Sequence, residues 1–148
     1  MKSQANRTLF DAVFRSDINA VQFILDSGFS VNSLDQELRT PLVHAVIDQQ
    51  LELACFLIGK GAEVNVKDFQ GMTPLHFAAQ NYDIEMCKLL VDQGALIDAV
   101  DDIGNTPLWR AEFESAGAIE LQEFLIKNGA NEQLQNNHGI SPQNLREG

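Results

Sequence analysis

The sequence predicts an all-α solenoid of helix–turn–helix repeats, and two markers in one register predict it. Thr40-Pro41-Leu42, Thr73-Pro74-Leu75 and Thr106-Pro107-Leu108 recur at intervals of 33 residues. Gly28, Gly61 and Gly94 keep the same interval, and Gly129 follows 35 residues after Gly94. A fixed period of this size marks a chain whose units bury their apolar faces only against one another. The markers divide a single domain, 1–148, into repeats at about 7–34, 35–67, 68–100 and 101–135, with a partial fifth at 136–148.

Repeat one begins near Arg7, where Thr8-Leu9-Phe10-Asp11-Ala12 stands in the register of the later phrases without their proline. An end repeat has no neighbour on its outer side and is often atypical. Its second helix is expected from about Asp17, an N-cap residue type, to Ser27, before a C′ glycine at Gly28. In repeat two, Thr40 can cap, and Pro41 at the first helical position forfeits no hydrogen bond. Leu42, Ala45 and Val46 face a second helix that carries Leu51, Leu53, Ala54, Phe56, Leu57 and Ile58 and stops at Gly61. Repeat three repeats this plan most regularly, from Asp68 through Gly71 and His76 to Gly94.

Repeat four is two residues longer. The surplus falls within 112–117, the connection between its helices, where an insertion costs little and binding specificity is often placed. Gly139-Ile140-Ser141-Pro142 restarts the phrase, with room for one short helix carrying Leu145, so the end reads as a polar cap. The linkers, such as Val64 to Gly71, are rich in the turn formers Asp, Asn and Gly. Leu38 stands where Gly71 and Gly104 stand, so the first linker is expected to be distorted.

The stretch Thr73-Pro74-Leu75-His76-Phe77-Ala78-Ala79 resembles the T-P-L-H-x-A signature of the ankyrin-repeat family. The resemblance implies linkers that project as hairpin fingers, and a structural His76 that hydrogen-bonds the neighbouring finger. It also places Asn32 and Asn65 where some ankyrin repeats of animal cells carry a hydroxylated asparagine, although a turn-stabilising role is the preferred reading. A second, shorter resemblance joins Trp109-Arg110-Ala111-Glu112-Phe113 and residues 136–142 to the endings of small bacterial ankyrin proteins. Several of those are immunity proteins that neutralise a toxin of the same cell.

Composition narrows the function. A formal net charge of −11 disfavours nucleic acid and anionic membrane surfaces, and it favours a basic partner if the partner is charged. No apolar run is long enough to span a bilayer, and the polar start has no signal-peptide core, so a cytoplasmic location is expected. Cys87 takes a core slot and Cys55 a more outward one, so both read as packing residues. His44, His76 and His138 do not share metal-ligand spacing, and no phosphate loop or nucleophile motif occurs. No cofactor and no enzymatic activity are expected.

The remaining class is a protein-binding module, monomeric when free. Signature position five and the residues three and four beyond it lie opposite the second helix and line a concave groove, with the fingers above it. These positions are occupied by Phe14, His44, Ile47, Phe77, Arg110, Phe113 and Glu114, and by Phe69, Met72, Asp102, Ile103 and Asn105 on the fingers. A contiguous exposed apolar row calls for a partner, although Phe113 can instead fold into the longer connection. Acid gathers from Asp98 to Glu123 with only Arg110 against it. An inhibitor that caps a basic protein fits this surface. An immunity protein against a cognate toxin is its most concrete form, and an adaptor or scaffold in a host pathway is the alternative.

Overall fold

Helix boundaries fall where the chain supplies caps. The computed structural model describes residues 2–114 and 119–148. Among these there are nine helices and no strand: α1 Lys2–Phe14, α2 Ile18–Asp26, α3 Pro41–Ile47, α4 Leu51–Gly59, α5 Pro74–Gln80, α6 Ile84–Asp92, α7 Pro107–Glu114, α8 Ile119–Lys127 and α9 Pro142–Glu147. Asp17 and Asp83 accept hydrogen bonds from the N–H groups of Ala20 and Met86, each at 3.0 Å. Thr40 caps α3 through the Val43 N–H, and Ser141 caps α9 through the Asn144 N–H. Such caps satisfy donors that a helix start leaves open. Gly28, Gly61, Gly94 and Gly129 follow the second helices with φ of 89–98°.

The turn within each of the first three helix pairs also takes a left-handed residue, and there the chain uses no glycine. Ser16, Gln49 and Tyr82 have φ of 52°, 56° and 60°, in register with the 33-residue repeat. The corresponding stretch of repeat four, with part of the expected insertion, lies outside the described residues.

The first helices α1, α3, α5, α7 and α9 lie side by side, and α2, α4, α6 and α8 form a second layer behind them. The core repeats with the sequence. Leu9, Leu42, Leu75 and Leu108 are fully buried, and Ala12, Ala45, Ala78 and Ala111 beside them let helices approach closely. Cys87 is buried and Cys55 exposed, as their slots predict.

The fingers are tight turns closed by one residue type. Oδ1 of Asp35 accepts the N–H groups of Glu37 and Arg39, Oδ1 of Asp68 those of Gln70 and Met72, and Oδ1 of Asp101 those of Ile103 and Asn105. Asn136 does the same with His138 and Ile140. Neighbouring fingers are joined by the bonds Phe69 N–H to Glu37 C=O, Asp102 N–H to Gln70 C=O and Asn137 N–H to Ile103 C=O, each 3.0 Å. The last bond spans two residues more than the one before it, so the surplus of repeat four changes the sequence separation and not the join.

The first finger is not distorted, contrary to the expectation at Leu38. Leu38 takes φ 58°, and its N–H closes on the Asp35 carbonyl as the Gly71 N–H closes on Asp68. The turn is kept and the strain is borne by the leucine. At Gly71 an added Cβ would also lie 2.9 Å from the Asp102 nitrogen.

Further side chains bridge repeats. Asn32 accepts from the Glu63 N–H and donates to the Gly61 carbonyl, and Asn65 does the same with Leu96 and Gly94. Both asparagines thus have structural work. At the C-terminal end Arg146 of α9 pairs with Glu112 of α7 and, at 2.8 Å, with Glu132.

His76 ties repeat three to the next finger as the family resemblance implies. The Thr73 N–H donates to its Nδ1 at 3.1 Å, so the ring proton sits on Nε2 and is donated to the Asn105 carbonyl at 2.9 Å. Burial disfavours the imidazolium and pushes the pKa down from 6.5 to about 4, against the opposing pull of the Asn105 carbonyl.

Two expectations follow. The unfolded chain binds the His76 proton before the folded one does as pH falls. Stability is therefore full above about pH 6.5 and declines until about pH 4. Urea denaturation at pH 7 and pH 5 will show a loss of about 2 kcal/mol, and His76→Gln will lack that component. Leu38→Gly relieves the left-handed leucine and will stabilise the protein by about 1 kcal/mol in the same assay, net of glycine's larger unfolded-state entropy.

Candidate protein-binding groove

Fingers and first helices face each other across an open groove, and two hollows lie along it. One, of about 790 Å3, is lined by residues that include Phe10, Asp11, Phe14, Leu34, Gln36, Glu37 and His44. The other, of about 330 Å3, is lined by Phe69, Gln70, Asp101, Asp102, Ile103 and Arg110. Six of the expected partner-contacting residues therefore border hollows: Phe14, His44, Phe69, Asp102, Ile103 and Arg110.

The exposed members are Phe14, Phe69, Ile103 and Phe113, at 54%, 52%, 46% and 60%. Asp102 and Glu114 are exposed with them. Phe113 stacks on Trp109 at 5.0 Å with the rings 14° from parallel, leaving much of its surface in solvent. Trp109 occupies the slot held by His76 one repeat earlier, and among the described residues its buried Nε1–H has no partner. The aromatic stack stands where the histidine makes its bond to the next finger.

Met72 does not belong to this surface. It is 4% exposed, and Asn105 at the same finger position is fully buried. The last finger residue turns inward beneath the turn, because the Asp68 and Asp101 carboxylates draw in its N–H. Ile47 and Phe77 are half-buried, and Phe77 packs against the core. Its ring is also covered by the chain's own Arg39, whose guanidinium carbon lies 5.4 Å from the Phe77 centroid and 5.9 Å from that of Phe69. Arg39 Nε donates to Asp68 Oδ2 at 3.2 Å, and the same guanidinium pairs with Glu37. The middle of the groove thus holds a cation already.

Electrostatics follow one rule in the three fingers closed by aspartate. The oxygen left over from closing the turn takes a side chain: Asp68 takes Arg39, Asp101 takes Arg110 at 2.6 Å, and Asp35 takes His44 Nε2 at 2.6 Å. Arg110 is thereby spent in part on its own repeat, although among the described residues its buried Nε–H has no acceptor. For Asp35, burial acts to raise the carboxyl, and bonds from the Arg39 N–H and from His44 overcome it, leaving the pKa lowered.

The acidic stretch from Asp98 to Glu123 is partly internal. Asp101 is buried against Arg110, Asp98 accepts from the Asn131 N–H, and Glu112 is held by Arg146 and Gln122. The sequence interval hid Arg146, which arrives from the cap. Asp102, Glu114, Glu120 and Glu123 stay exposed.

Among the described residues no cluster of His, Cys, Asp and Glu could hold a metal ion, and no helix is long and apolar enough to cross a membrane.

A family model described as "Ankyrin repeats (3 copies)" matches residues 67–136, and one described as "Ankyrin repeats (many copies)" matches residues 42–91. Together they cover residues 42–136, well over half of the 148. No curated protein matches the chain at a significant level. Ankyrin repeats are protein-interaction modules and are generally non-enzymatic. With paired helices in two layers and finger turns in register, the chain belongs to the ankyrin-repeat family.

Proposed function

We propose that this protein caps a basic protein partner through the groove, acting as a cytoplasmic monomer until it binds. The carrying observation is the set of exposed apolar residues Phe14, Phe69, Ile103 and Phe113 on groove and finger positions, with the exposed acids Asp102 and Glu114 beside them. Water-exposed aromatic anchors with an acidic rim suit an interface whose core is apolar and whose charges steer encounter. The net charge of −11 supports a basic partner. The most concrete form is an immunity protein blocking a cognate toxin, supported by the resemblance of Trp109 to Phe113 and of residues 136–142 to small bacterial ankyrin proteins.

Binding kinetics with the captured partner, at two salt concentrations, test this reading. Phe69→Ala will speed dissociation by roughly 30-fold, as loss of a desolvated aromatic anchor does. Asp102→Asn and Glu114→Gln will slow association and flatten its salt dependence. Unchanged kinetics in all three variants, each with a wild-type melt, would remove the groove from the interface.

A further inference from the structure

The N-terminal end of the groove keeps open a backbone donor that its middle has used. In the second, third and last fingers, the N–H of the second finger residue bonds the carbonyl of the finger before: Phe69 to Glu37, Asp102 to Gln70, Asn137 to Ile103. Gln36 holds that place in the first finger, and among the described residues no finger precedes it. Among the described residues its N–H has no acceptor. Gln36 lines the hollow of about 790 Å3.

The other walls of that hollow are aromatic and acidic. Phe14 meets the His44 ring edge-on at 4.9 Å and is more than half exposed, and Leu34 is exposed beside it. Asp11, Asp35 and Glu37 line the same hollow, with Arg7 the one arginine among its lining residues. At Asp68 and Asp101 the free carboxylate oxygen is met by an arginine of this chain, and Arg39 also covers two phenylalanine rings. At Asp35 the corresponding oxygen meets an imidazole.

We infer that this hollow receives an extended segment of the protein partner, with a backbone carbonyl on the Gln36 N–H, a cationic side chain at the Asp11 carboxylate beside the Arg39-paired Glu37 and the His44-bonded Asp35, and an apolar side chain against Phe14 and Leu34. The inference rests on the proposed capture of a basic protein and names the part of the groove that takes its anchoring residue. An unpaired finger edge accepts a peptide carbonyl as a sheet edge does. Carboxylates and aromatic faces together favour a guanidinium or ammonium group. A bare cation would leave the Gln36 donor and the apolar wall unused. The hollow falls within the ~300–1,000 Å3 of sites that enclose ligands larger than a single ion.

The probe is acetyl-Leu-Arg-Leu-amide, titrated into the full chain and followed by amide NMR, with the citrulline peptide as its neutral isostere. The amides of Gln36, Glu37 and Phe14 will shift, and the citrulline peptide will bind about tenfold more weakly. Asp11→Asn will narrow that difference, and Phe14→Ala will weaken both peptides, with wild-type melts as control. Equal binding of the two peptides, no binding, or shifts centred on Ile103 and Arg110 would overturn the inference. The two readings fail differently. A partner complex that depends on Phe69 and ignores Asp11→Asn and Phe14→Ala removes this anchor and leaves the capture function standing. A seated peptide without any partner complex does the reverse.

Discussion

One carboxylate oxygen per finger holds this structure in register. Oδ1 of Asp35, Asp68 or Asp101 gathers two backbone N–H groups of its own turn, and the turn then presents an N–H and a carbonyl to its neighbours. Bonds to an ionised acceptor are stronger than neutral ones, about 1.5–3 kcal/mol each. Asn136 does the same work with a neutral amide in the last finger. The stack of fingers therefore depends on each turn being closed.

The same atoms decide how the groove is charged. Each finger carboxylate has a second oxygen, and what meets it differs along the molecule. Arg39 and Arg110 neutralise the central fingers, and Arg39 also lies over Phe69 and Phe77. A partner approaching the middle would have to displace an internal ion pair, which costs more than meeting an open one. Much of the acidity counted along repeat four is absorbed likewise, by Arg110 and by Arg146.

The periodic parts of the fold were legible in the sequence because each unit repeats the same physical problem. Leucine, alanine and capping threonine recur at fixed intervals, and Cys87 and Cys55 were assigned correctly from their slots. The left-handed Ser16, Gln49 and Tyr82 were not seen, because their side chains carry no preference for that conformation, although their spacing was a signal. Met72 and Asn105 were placed outside because a finger reads as all surface. Only the closing carboxylate reveals that its last residue points inward. Phe14, Phe69, Ile103 and Phe113 were legible as exposed residues. The cover of Phe69 and Phe77 by Arg39 was not, because it joins residues about thirty apart through geometry alone.

The joins between repeats are interchangeable, and this bears on how such a chain can change length. Asn32 and Asn65 bind the next repeat through the same pair of backbone groups, and Asp98 meets Asn131 across an interval only two residues longer. Duplicating the segment 68–100 in place would present each copy with the backbone contacts its parent already makes, with Met72 in place of Arg39 beside the second copy's Asp68. A gene encoding this protein can therefore lengthen by tandem copying without first evolving a new interface, and each added unit would bring a further stretch of groove.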